Sequence, residues 1–478
     1  MNSLKTITVL WVLFYNLSSI NSQQGYNDLV SISELKEDLL ILKNNLEEVH
    51  PGLYAYHSKE KFDILFSEIE QNLKQPITSI DFYRRLLPIL PLIANNHTHI
   101  MCPLDYKEAL VTSLPRLPFR LYVKERRLYL HEDASNEQII GLGKEILSIN
   151  GKSAGAIIDT IVNTSSKDGF NTSLAIYGLG VSFSRYYAYY FGTPKHFKIE
   201  YLEKNGTLKT ANIQGVKVPI LIERRGSTSI SQSTNILEFN ITNNIAYLKI
   251  NSFQPKSAGK FRKKLKSYFK QIKEKKIEQL IIDVRGNGGG YGEAADEVFS
   301  YLINETVFTY KDEYALVDKI PYPQYYEKDM FFKHFKKQPL VKKGDIYHIR
   351  NIKNQKVQPK NNRYQGDLYV MLDGASASAT GQFLGLVKSY TNAIFIGQEA
   401  GGNPAETTAN DLLHMTLPNS KVRVTIPALR SVSNVTFKNT GHGIIPDYEI
   451  IPEIHDILQN NDIVLDFTLK LIHNKHQE

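Results

Sequence analysis

Two serines stand in the stretch DGASASAT, residues 373–380, between an apolar run and a helix-forming segment. At the start of a helix the backbone N–H groups are unpaired and the helix dipole is positive, so negative charge near a serine oxygen is stabilised. The N–H of the next residue can then donate to a tetrahedral oxyanion. The hydrolase elbow G-x-S-x-G is absent, because the fifth residue counted from Gly374 is Ser378. Ser376 and Ser378 are therefore candidate nucleophiles, with an ordinary helix cap as the alternative role.

A glycine-rich stretch, DVRGNGGG at residues 283–290, follows another apolar run. Glycines let backbone N–H groups face open space, which suits a phosphate or a developing oxyanion. The dinucleotide pattern G-x-G-x-x-G fails, because its sixth position is Tyr291 counted from Gly286 and Glu293 counted from Gly288, and no P-loop follows. The stretch indicates either an oxyanion-binding turn or a tight turn between a strand and a helix.

Two histidines flank Thr98 in the stretch NNHTHI. With a pKa near 6.5, a histidine can take a proton from a serine hydroxyl and return it to a leaving amine. If the segment is extended, His97 and His99 point to opposite sides, so one of them at most faces a given serine. A zinc site formed by His97 and His99 with His414 or His442 is the alternative, but no Cys, Asp or Glu ligand stands close to the pair in the sequence.

Two further nucleophile arrangements are conceivable. Cys102, just after the histidines, could act as a thiol nucleophile, although a buried cysteine is chemically inert. An esterase of the α/β-hydrolase type could use Ser376, Asp411 and His414, but it would need the missing elbow. Nothing in the sequence requires a metal or an organic cofactor.

Beyond residue 240 the chain alternates between continuous apolar runs and helical patterns. Strands are predicted in NIAYLKINSF, EQLIIDVRG, DLYVMLDGAS and AIFIGQEA, and helices in residues 256–276, YGEAADEVFSYLI and ASATGQFLGLVKSY. This alternation predicts an α/β fold with a parallel sheet buried on both faces. In such sheets sites lie beyond the carboxyl ends of the strands, where both the glycine-rich and the serine stretches fall.

The ordered motifs together resemble peptidase family S41. DVRGNGGG, SASA, IGQEAGG and GHGIIPDYEI follow one another as in the carboxyl-terminal processing and tricorn-like proteases, over residues 240–455. The resemblance implies a catalytic core related to crotonase and ClpP. It also implies that Ser378, the third residue of SASA, is the nucleophile, and that Ser376 is a cap or neighbour. The oxyanion hole would then use the N–H groups of Ala379 and Gly289.

The base differs from that of the processing proteases. Their activating lysine follows the second glycine of IGQEAGG, and Asn403, which has no useful basicity, stands there. The tricorn-like branch uses a histidine from the N-terminal helical part, and its resemblance points to His97 with Asn96 as the polar neighbour.

The carboxylate that supports this histidine in tricorn-like proteases is missing from its expected place. Residues 430–446 contain no Asp or Glu. Asp411, Glu399 and Glu406 stand nearby in the sequence. Their types and positions do not show which of them supports the histidine. The predicted catalytic pair therefore has no identified third member.

Four regions are predicted along the chain. They are a signal peptide at 1–22, an N-terminal helical domain at 23–110, a small β-rich PDZ-like module at 111–230 and an S41-type catalytic domain at 231–478. Residues 310–365 are rich in Tyr, Lys and Phe and poorly patterned, and we expect them to wrap the catalytic unit or cap its cleft.

The N-terminal stretch MNSLKTITVLWVLFYNLSSINSQQ has a basic start at Lys5, an apolar stretch and then small polar residues. It predicts a secretory signal peptide cleaved near Ser22, with an anchoring helix as the alternative. A secreted or periplasmic protein follows. No later segment has the ~20 consecutive apolar residues that a membrane span needs.

The chain has a net charge of +8 and a single cysteine, so no intramolecular disulfide can form. The densest basic run, residues 260–276, carries apolar residues at helical spacing and predicts a solvated amphipathic helix. A nucleic-acid-binding face would instead gather basic residues around exposed aromatic platforms. We therefore expect no nucleic-acid partner.

The sequence as a whole predicts a serine-type endopeptidase that acts on peptides or unfolded proteins through an acyl-enzyme, with Ser378 and His97 as its catalytic residues. The alternative is a catalytically inactive peptide-binding protein on the same scaffold, motivated by the loss of the family lysine and of the supporting carboxylate. The oligomeric state does not follow from the sequence.

Overall fold

The structure is a computed structural model that describes residues 25–225, 235–350 and 355–475. The predicted signal peptide, residues 1–22, and the predicted domain boundary between residues 230 and 231 lie outside these ranges. Within them, no helix is both long enough and apolar enough to cross a membrane.

The N-terminal part is mainly helical, as its periodicity predicts. Its longest helix begins at a capping box, in which Ser31 Oγ accepts from the Glu34 amide and the Glu34 carboxylate accepts from the Ser31 amide. Leucines at helical spacing bury one face of this helix. The elements are β1 (Leu29–Val30), α1 (Ile32–Val49), α2 (Lys59–Gln71), β2 (Ile77–Thr78), α3 (Ser79–Leu86), α4 (Leu90–Ile93), β3 (His99–Met101) and α5 (Leu104–Thr112).

The second part is an antiparallel sheet packed against helices. Its elements are β4 (Pro115–Arg116), β5 (Phe119–Lys124), β6 (Arg127–Asp133), β7 (Glu145–Ile149), β8 (Lys152–Ser153), α6 (Ala154–Asn163), α7 (Ser173–Phe191), β9 (His196–Leu202), β10 (Leu208–Gln214), β11 (Val216–Lys217) and α8 (Val218–Arg225). The main strands follow the order β10-β9-β7-β6-β5, which leaves β5 at the edge. Helix α7 was not predicted from its aromatic and glycine-containing sequence. It forms because its buried side chains, Leu179 and Phe183 among them, complete the core of this sheet.

The third part contains the predicted alternation of strands and helices. Its elements are β12 (Leu237–Thr242), β13 (Ile245–Ile250), α9 (Ala258–Glu274), β14 (Gln279–Asp283), α10 (Gly292–Phe299), β15 (Val307–Phe308), β16 (Tyr310–Ala315), α11 (Met330–Phe335), β17 (Leu340–Lys343), β18 (Ile346–Ile349), β19 (Lys356–Val357), β20 (Asp367–Leu372), α12 (Ala379–Tyr390), β21 (Ile394–Gly397), β22 (Glu406–Thr416), β23 (Arg423–Ser433), β24 (Tyr448–Glu449), α13 (Ile454–Gln459) and α14 (Ile463–Lys475).

The central sheet has the order β12-β13-β14-β20-β21-β24. All neighbouring pairs are parallel except β12 with β13. Helices and loops cover both faces, so β14 and β20 are fully buried apart from Asp367 at the start of β20. The glycine-rich stretch follows β14 and the serine stretch follows β20, and both therefore lie at the carboxyl edge.

A second sheet, with the order β17-β18-β16-β23-β22, was not predicted. Three of its strands, β16, β17 and β18, come from residues 310–349. From the sequence we expected this region to wrap the catalytic unit or cap its cleft. Strand β3 of the N-terminal part pairs with β23, with His99 opposite Thr425. This pairing brings the segment that carries His97 to the third part of the chain.

The hydrophobic cores do not follow the chain in simple order. One core belongs to the β5–β10 sheet and a second to one face of the central sheet. The largest combines α1–α5 with the β22–β23 hairpin, so that Leu42 and Leu46 share a core with Leu413 and Val424. The N-terminal helices therefore depend on residues near the other end of the chain for their burial.

Candidate active site

Ser378 lies at the turn between β20 and α12, directly before the first residue of the helix. Its backbone has φ 56° and ψ −127°, a conformation that L-residues seldom adopt. Sparse backbone conformations of this kind persist where the surrounding structure enforces them, and they cluster at functional sites. The turn thus holds the Ser378 hydroxyl at the carboxyl edge of the central sheet.

His97 is the side chain that meets this hydroxyl. Its Nε2 lies 3.2 Å from Ser378 Oγ, a contact that joins positions 281 residues apart. The side chains of His97 and Ser378 are both partly buried. The geometry allows the imidazole to accept the hydroxyl proton at Nε2.

The loop that carries His97 is fixed by a buried polar network. Ala94 ends α4 in the left-handed conformation, which turns the chain out of the helix. Asn95 Oδ1 then accepts from the His97 amide at 3.2 Å and from Thr98 Oγ1 at 2.8 Å. Thr98 Oγ1 is also 2.8 Å from Nε2 of the buried His50. These bonds set the position of the His97 backbone before any substrate is present.

Burial lowers the pKa of His97 to about 3, and the nearby His99 adds to this effect. The imidazole is therefore neutral at neutral pH and free to accept a proton. For Nε2 to accept, Nδ1 must carry the hydrogen, and Nδ1 is buried without a hydrogen-bond partner among the described residues. The Oδ1 atom of Asn96 is likewise buried without a hydrogen-bond partner among the described residues.

The glycine-rich loop approaches the serine turn closely. Gly289 has φ 107°, and a Cβ built on it would lie 2.8 Å from Ser378 Cβ and 3.0 Å from the Ala379 nitrogen. The Gly289 amide donates to Asn287 Oδ1 at 3.0 Å. Of the two predicted oxyanion donors, Ala379 presents an amide at the open end of α12, whereas the amide of Gly289 is already engaged.

The position of the family lysine is occupied by an amide in a structural role. Asn403 Nδ2 donates to Tyr56 Oη at 2.8 Å and to Asn439 Oδ1 at 3.1 Å, and its Oδ1 accepts from the Ala405 amide. The preceding Gly402 packs on the serine turn, so that a Cβ there would lie 2.8 Å from the Ser378 nitrogen. This loop therefore packs directly against the backbone of the serine turn.

None of the three carboxylates considered from the sequence has a hydrogen bond to His97. Asp411 binds His334 and Gln338, Glu399 binds His442 and Ser173, and Glu406 binds Arg430 and Tyr56. Each acid is therefore engaged away from His97. None of the three orients His97 in this structure.

The competing nucleophiles are engaged or inert. Ser376 is fully buried, and its hydroxyl donates to the Val284 carbonyl at 3.0 Å. Burial raises the pKa of the Cys102 thiol to about 11, so little thiolate forms. Asp411 binds His334 and His414 binds Asp329, so the residues of the esterase alternative do not come together.

The zinc alternative also lacks support from geometry. His99 Nδ1 lies 3.2 Å from Ser166 Oγ, on the side away from Ser378, and His442 binds Glu399. Across the described ranges the single grouping with metal-ligand spacing is Glu327, Asp329 and His414. That grouping contains neither His97 nor His99.

The sequence reasoning missed the residues that hold His97 in place, above all Asn95, His50 and Asp168. The buried Asp168 carboxylate accepts from the Asn96 amide at 2.9 Å and from the Asn403 amide at 3.1 Å. The Asn96 and Asn403 contacts span 72 and 235 residues. No local pattern in the sequence signals such pairs.

Residues 244–450 match Peptidase family S41. A 61-residue stretch is 34% identical to the carboxy-terminal processing protease CtpB of Bacillus subtilis (strain 168), and it covers 13% of this chain and 12% of CtpB.

Similar solved structures include mature CPAF complexed with lactacystin, with a TM-score of 0.63 and 14% identity over 92% of this chain and 98% of CPAF. Mature CPAF alone gives a TM-score of 0.62 and 12% identity over 92% and 97% of the two chains. At these identities the structural matches show a common fold.

Proposed function

Because the chain belongs to peptidase family S41, we propose that it is a serine peptidase that cleaves peptide bonds in peptides or unfolded proteins. Ser378 is the nucleophile, and His97 is the general base and then the general acid. The observation that carries this proposal is the 3.2 Å separation between His97 Nε2 and Ser378 Oγ. The imidazole is neutral at neutral pH, which leaves the Nε2 lone pair able to take the proton.

The reaction follows from these two side chains. Ser378 Oγ bonds to the substrate carbonyl carbon while its proton moves to His97 Nε2, and the carbonyl oxygen takes the negative charge. The C–N bond then breaks as His97 Nε2–H protonates the leaving amine, which yields an acyl-enzyme. In the second half a water gives its proton to His97 and bonds to the acyl carbon, and the proton returns to Ser378 as the acid leaves.

The oxyanion is held by backbone amides in this mechanism. Ala379 donates from the start of α12, where the helix dipole adds to the stabilisation. Gly289 is the second donor, and its amide hydrogen is shared between Asn287 Oδ1 and the oxyanion when the substrate is bound. Its close approach to Ser378 and Ala379 supports this assignment.

We also propose that the second part of the chain is a PDZ-like module that holds the substrate. A groove of about 750 Å³ lies between β5, α7 and the carboxyl edge of the central sheet. Strand β5 ends its sheet, and an extended peptide can add to such an edge as a further strand. Ile176, Tyr177 and Val181 of α7 are 37–40% exposed along the groove. Substitution of Val181 by Asp should raise the KM for a peptide more than it lowers kcat.

The groove is lined by Asp373 and Gly286, which belong to the serine and glycine-rich stretches. A peptide held along it in extended form would suit cleavage within a chain, so we propose an endopeptidase. The central sheet corresponds in this proposal to the crotonase- and ClpP-related core of the family. Mass analysis of the fragments of an unfolded protein separates endopeptidase from exopeptidase action, since internal fragments arise only in the first case.

The same proposal places the mature protein outside the cytoplasm, secreted or periplasmic. The apolar N-terminal stretch with its basic start supports this location. N-terminal sequencing of the protein recovered from outside the cytoplasm should give a start near residue 23, and a start at Met1 would contradict it.

A fluorophosphonate probe tests the mechanism without knowledge of the substrate. The wild type, Ser378→Ala and His97→Ala are exposed to the probe, and any adduct is located by intact and peptide mass. Labelling of Ser378 that is lost in both variants supports the proposal, whereas labelling at Ser376 contradicts the choice of nucleophile. Absence of labelling in a folded wild type that still binds peptides favours the inactive binding protein.

A further inference from the structure

A short segment between α6 and α7, DGFN at residues 168–171, contacts three loops of the active site. The Gly169 amide donates to the Ala94 carbonyl at 2.9 Å, on the loop that carries His97. The Phe170 amide donates to the Gly441 carbonyl at 2.8 Å, and Asn171 Nδ2 donates to the Ala400 carbonyl at 2.6 Å. The segment thus links loops that are far apart in the sequence.

Asp168, the first residue of this segment, makes the most direct link. Its Oδ1 accepts from the amide of Asn96, the residue before His97, at 2.9 Å. Its Oδ2 accepts from the amide of Asn403, which follows the Gly402 that packs on Ser378, at 3.1 Å. The side chain is 6% exposed. Each oxygen therefore binds one of the two loops that position the catalytic pair.

We propose that Asp168 is a positioning residue that holds His97 in register with Ser378 by binding both loops with one carboxylate. This proposal rests on the proposed function, since it assigns His97 the role of base. It explains how the pair is held although no carboxylate binds His97 Nδ1. An ionised carboxylate is a strong acceptor at both oxygens, whereas protonation turns one oxygen into a hydroxyl, a much weaker acceptor for the amide that faces it.

The protonation state of Asp168 therefore controls both links. Burial raises the pKa of Asp168 to about 6, opposed by the two amide bonds, and the charge of Glu406 adds to the rise. The other groups near it are Tyr56, whose own pKa is raised to about 12, and Arg430, which is paired with Glu406. His97, next to Asn96, is neutral above pH 3. Desolvation lowers the pKa values of His50 and His99 to about 4. Asp168 is therefore the group beside these loops that titrates close to pH 6.

The first test is the rate of fluorophosphonate labelling of the wild type between pH 4 and 8. Activity should fall as the pH drops through about 6, where Asp168 takes up a proton, and not at about 3, where His97 does. A flat rate from pH 7 to pH 4 overturns the proposal, and this measurement needs no variant.

The second test compares Asp168→Asn with the matched control Asp159→Asn, an exposed carboxylate on α6 that pairs with Arg126. An asparagine can accept from only one of the two amides. We expect labelling of Ser378 to slow on the order of 10²-fold, as for a displaced catalytic group, and the fall near pH 6 to disappear. The control should keep the rate and the pH profile of the wild type. A slow variant that retains the fall near pH 6 overturns the proposal.

Hydrogen exchange separates this proposal from the proposed function. In Asp168→Asn, exchange at the amides of residues 94–98 and 400–405 should speed up, and in Asp159→Asn it should not change. If the wild type is never labelled, the proposed mechanism fails while the exchange result still tests the links. Unchanged exchange in both loops overturns the positioning role even when labelling is lost.

Discussion

His97 Nε2 and Ser378 Oγ lie 3.2 Å apart, and each is held by a different part of the chain. The backbone of His97 is set by Asn95, while Ser378 is set by the turn between β20 and α12. The two parts are joined by the pairing of β3 with β23 and by the carboxylate of Asp168. The proposed catalytic pair is therefore a product of long-range contacts.

Substitution of the base should have a much larger effect than substitution of its neighbour. For His97→Ala we expect labelling of Ser378 to slow by about 10²–10⁴-fold, the usual contribution of a general base. His99→Ala is the control, because His99 is exposed and bonds Ser166 on the other side. Rates are compared by intact mass over time, and an equal loss in both variants would contradict the assignment of His97.

Gly402 should tolerate no side chain. In Gly402→Ala the new methyl would lie 2.8 Å from the Ala377 Cα and the Ser378 nitrogen, so the serine turn must shift. We expect a loss of about 1–3 kcal/mol in the free energy of unfolding, typical of overpacking, measured by denaturant titration. Labelling should also slow.

The matched control is Gly259→Ala in α9, where no atom lies within 4 Å of the added methyl. Stability there should stay equal or rise by up to about 1 kcal/mol, because alanine favours the helix. Equal stability of the Gly402 variant and the wild type would mean that the loop is free to move away from Ser378.

Cys102 should react slowly while the protein is folded. Burial raises its pKa from 9.0 to about 11, which cuts the thiolate fraction by about 100-fold at pH 8. Alkylation with iodoacetamide, followed by intact mass, should be slow in the native protein and fast in denaturant. If the native protein were alkylated quickly and fluorophosphonate labelling were lost as a result, Cys102 would again be a candidate nucleophile.

Asp168 should make the protein less stable as the pH rises. Its pKa is 3.8 when unfolded and about 6 when folded, so the folded state retains a proton that the unfolded state has released between these values. The stability of the wild type relative to Asp168→Asn should therefore fall by up to about 3 kcal/mol from pH 4 to pH 7. Denaturant titrations of both proteins at each pH give this difference. A difference that rises with pH would contradict the raised pKa.

The central sheet and the positions of its two functional loops could be predicted from the sequence. The runs around Leu280 and Val370 are continuously apolar, as strands buried on both faces require, and the glycine and serine stretches follow them directly. The choice of Ser378 over Ser376 and of His97 over His99 came from the family resemblance. Local chemistry alone left both pairs open.

The second sheet and the support of His97 could not be predicted. Strands β16 and β17 carry several charged residues, and every residue of β18 is only partly buried, so none of the three shows a continuous apolar run. Asp168 looks like an ordinary Asp-Gly turn in the sequence, and its role depends on amides that lie 72 and 235 residues away. A hydrogen bond between a side chain and a distant backbone amide produces no periodic pattern in the sequence.

The core that α1–α5 share with the β22–β23 hairpin has a consequence for the order of events during synthesis. Leu42 and Leu46 can pack against Leu413 and Val424 only after almost the whole chain has been made. Non-local contacts of this kind form late and slowly. The segment that bears His97 is joined to β23 through β3, so it reaches its final position only after β14 and β20 have been made. Under the proposed function, a chain that has not yet been made as far as β23 does not bring His97 to Ser378 and is therefore inactive.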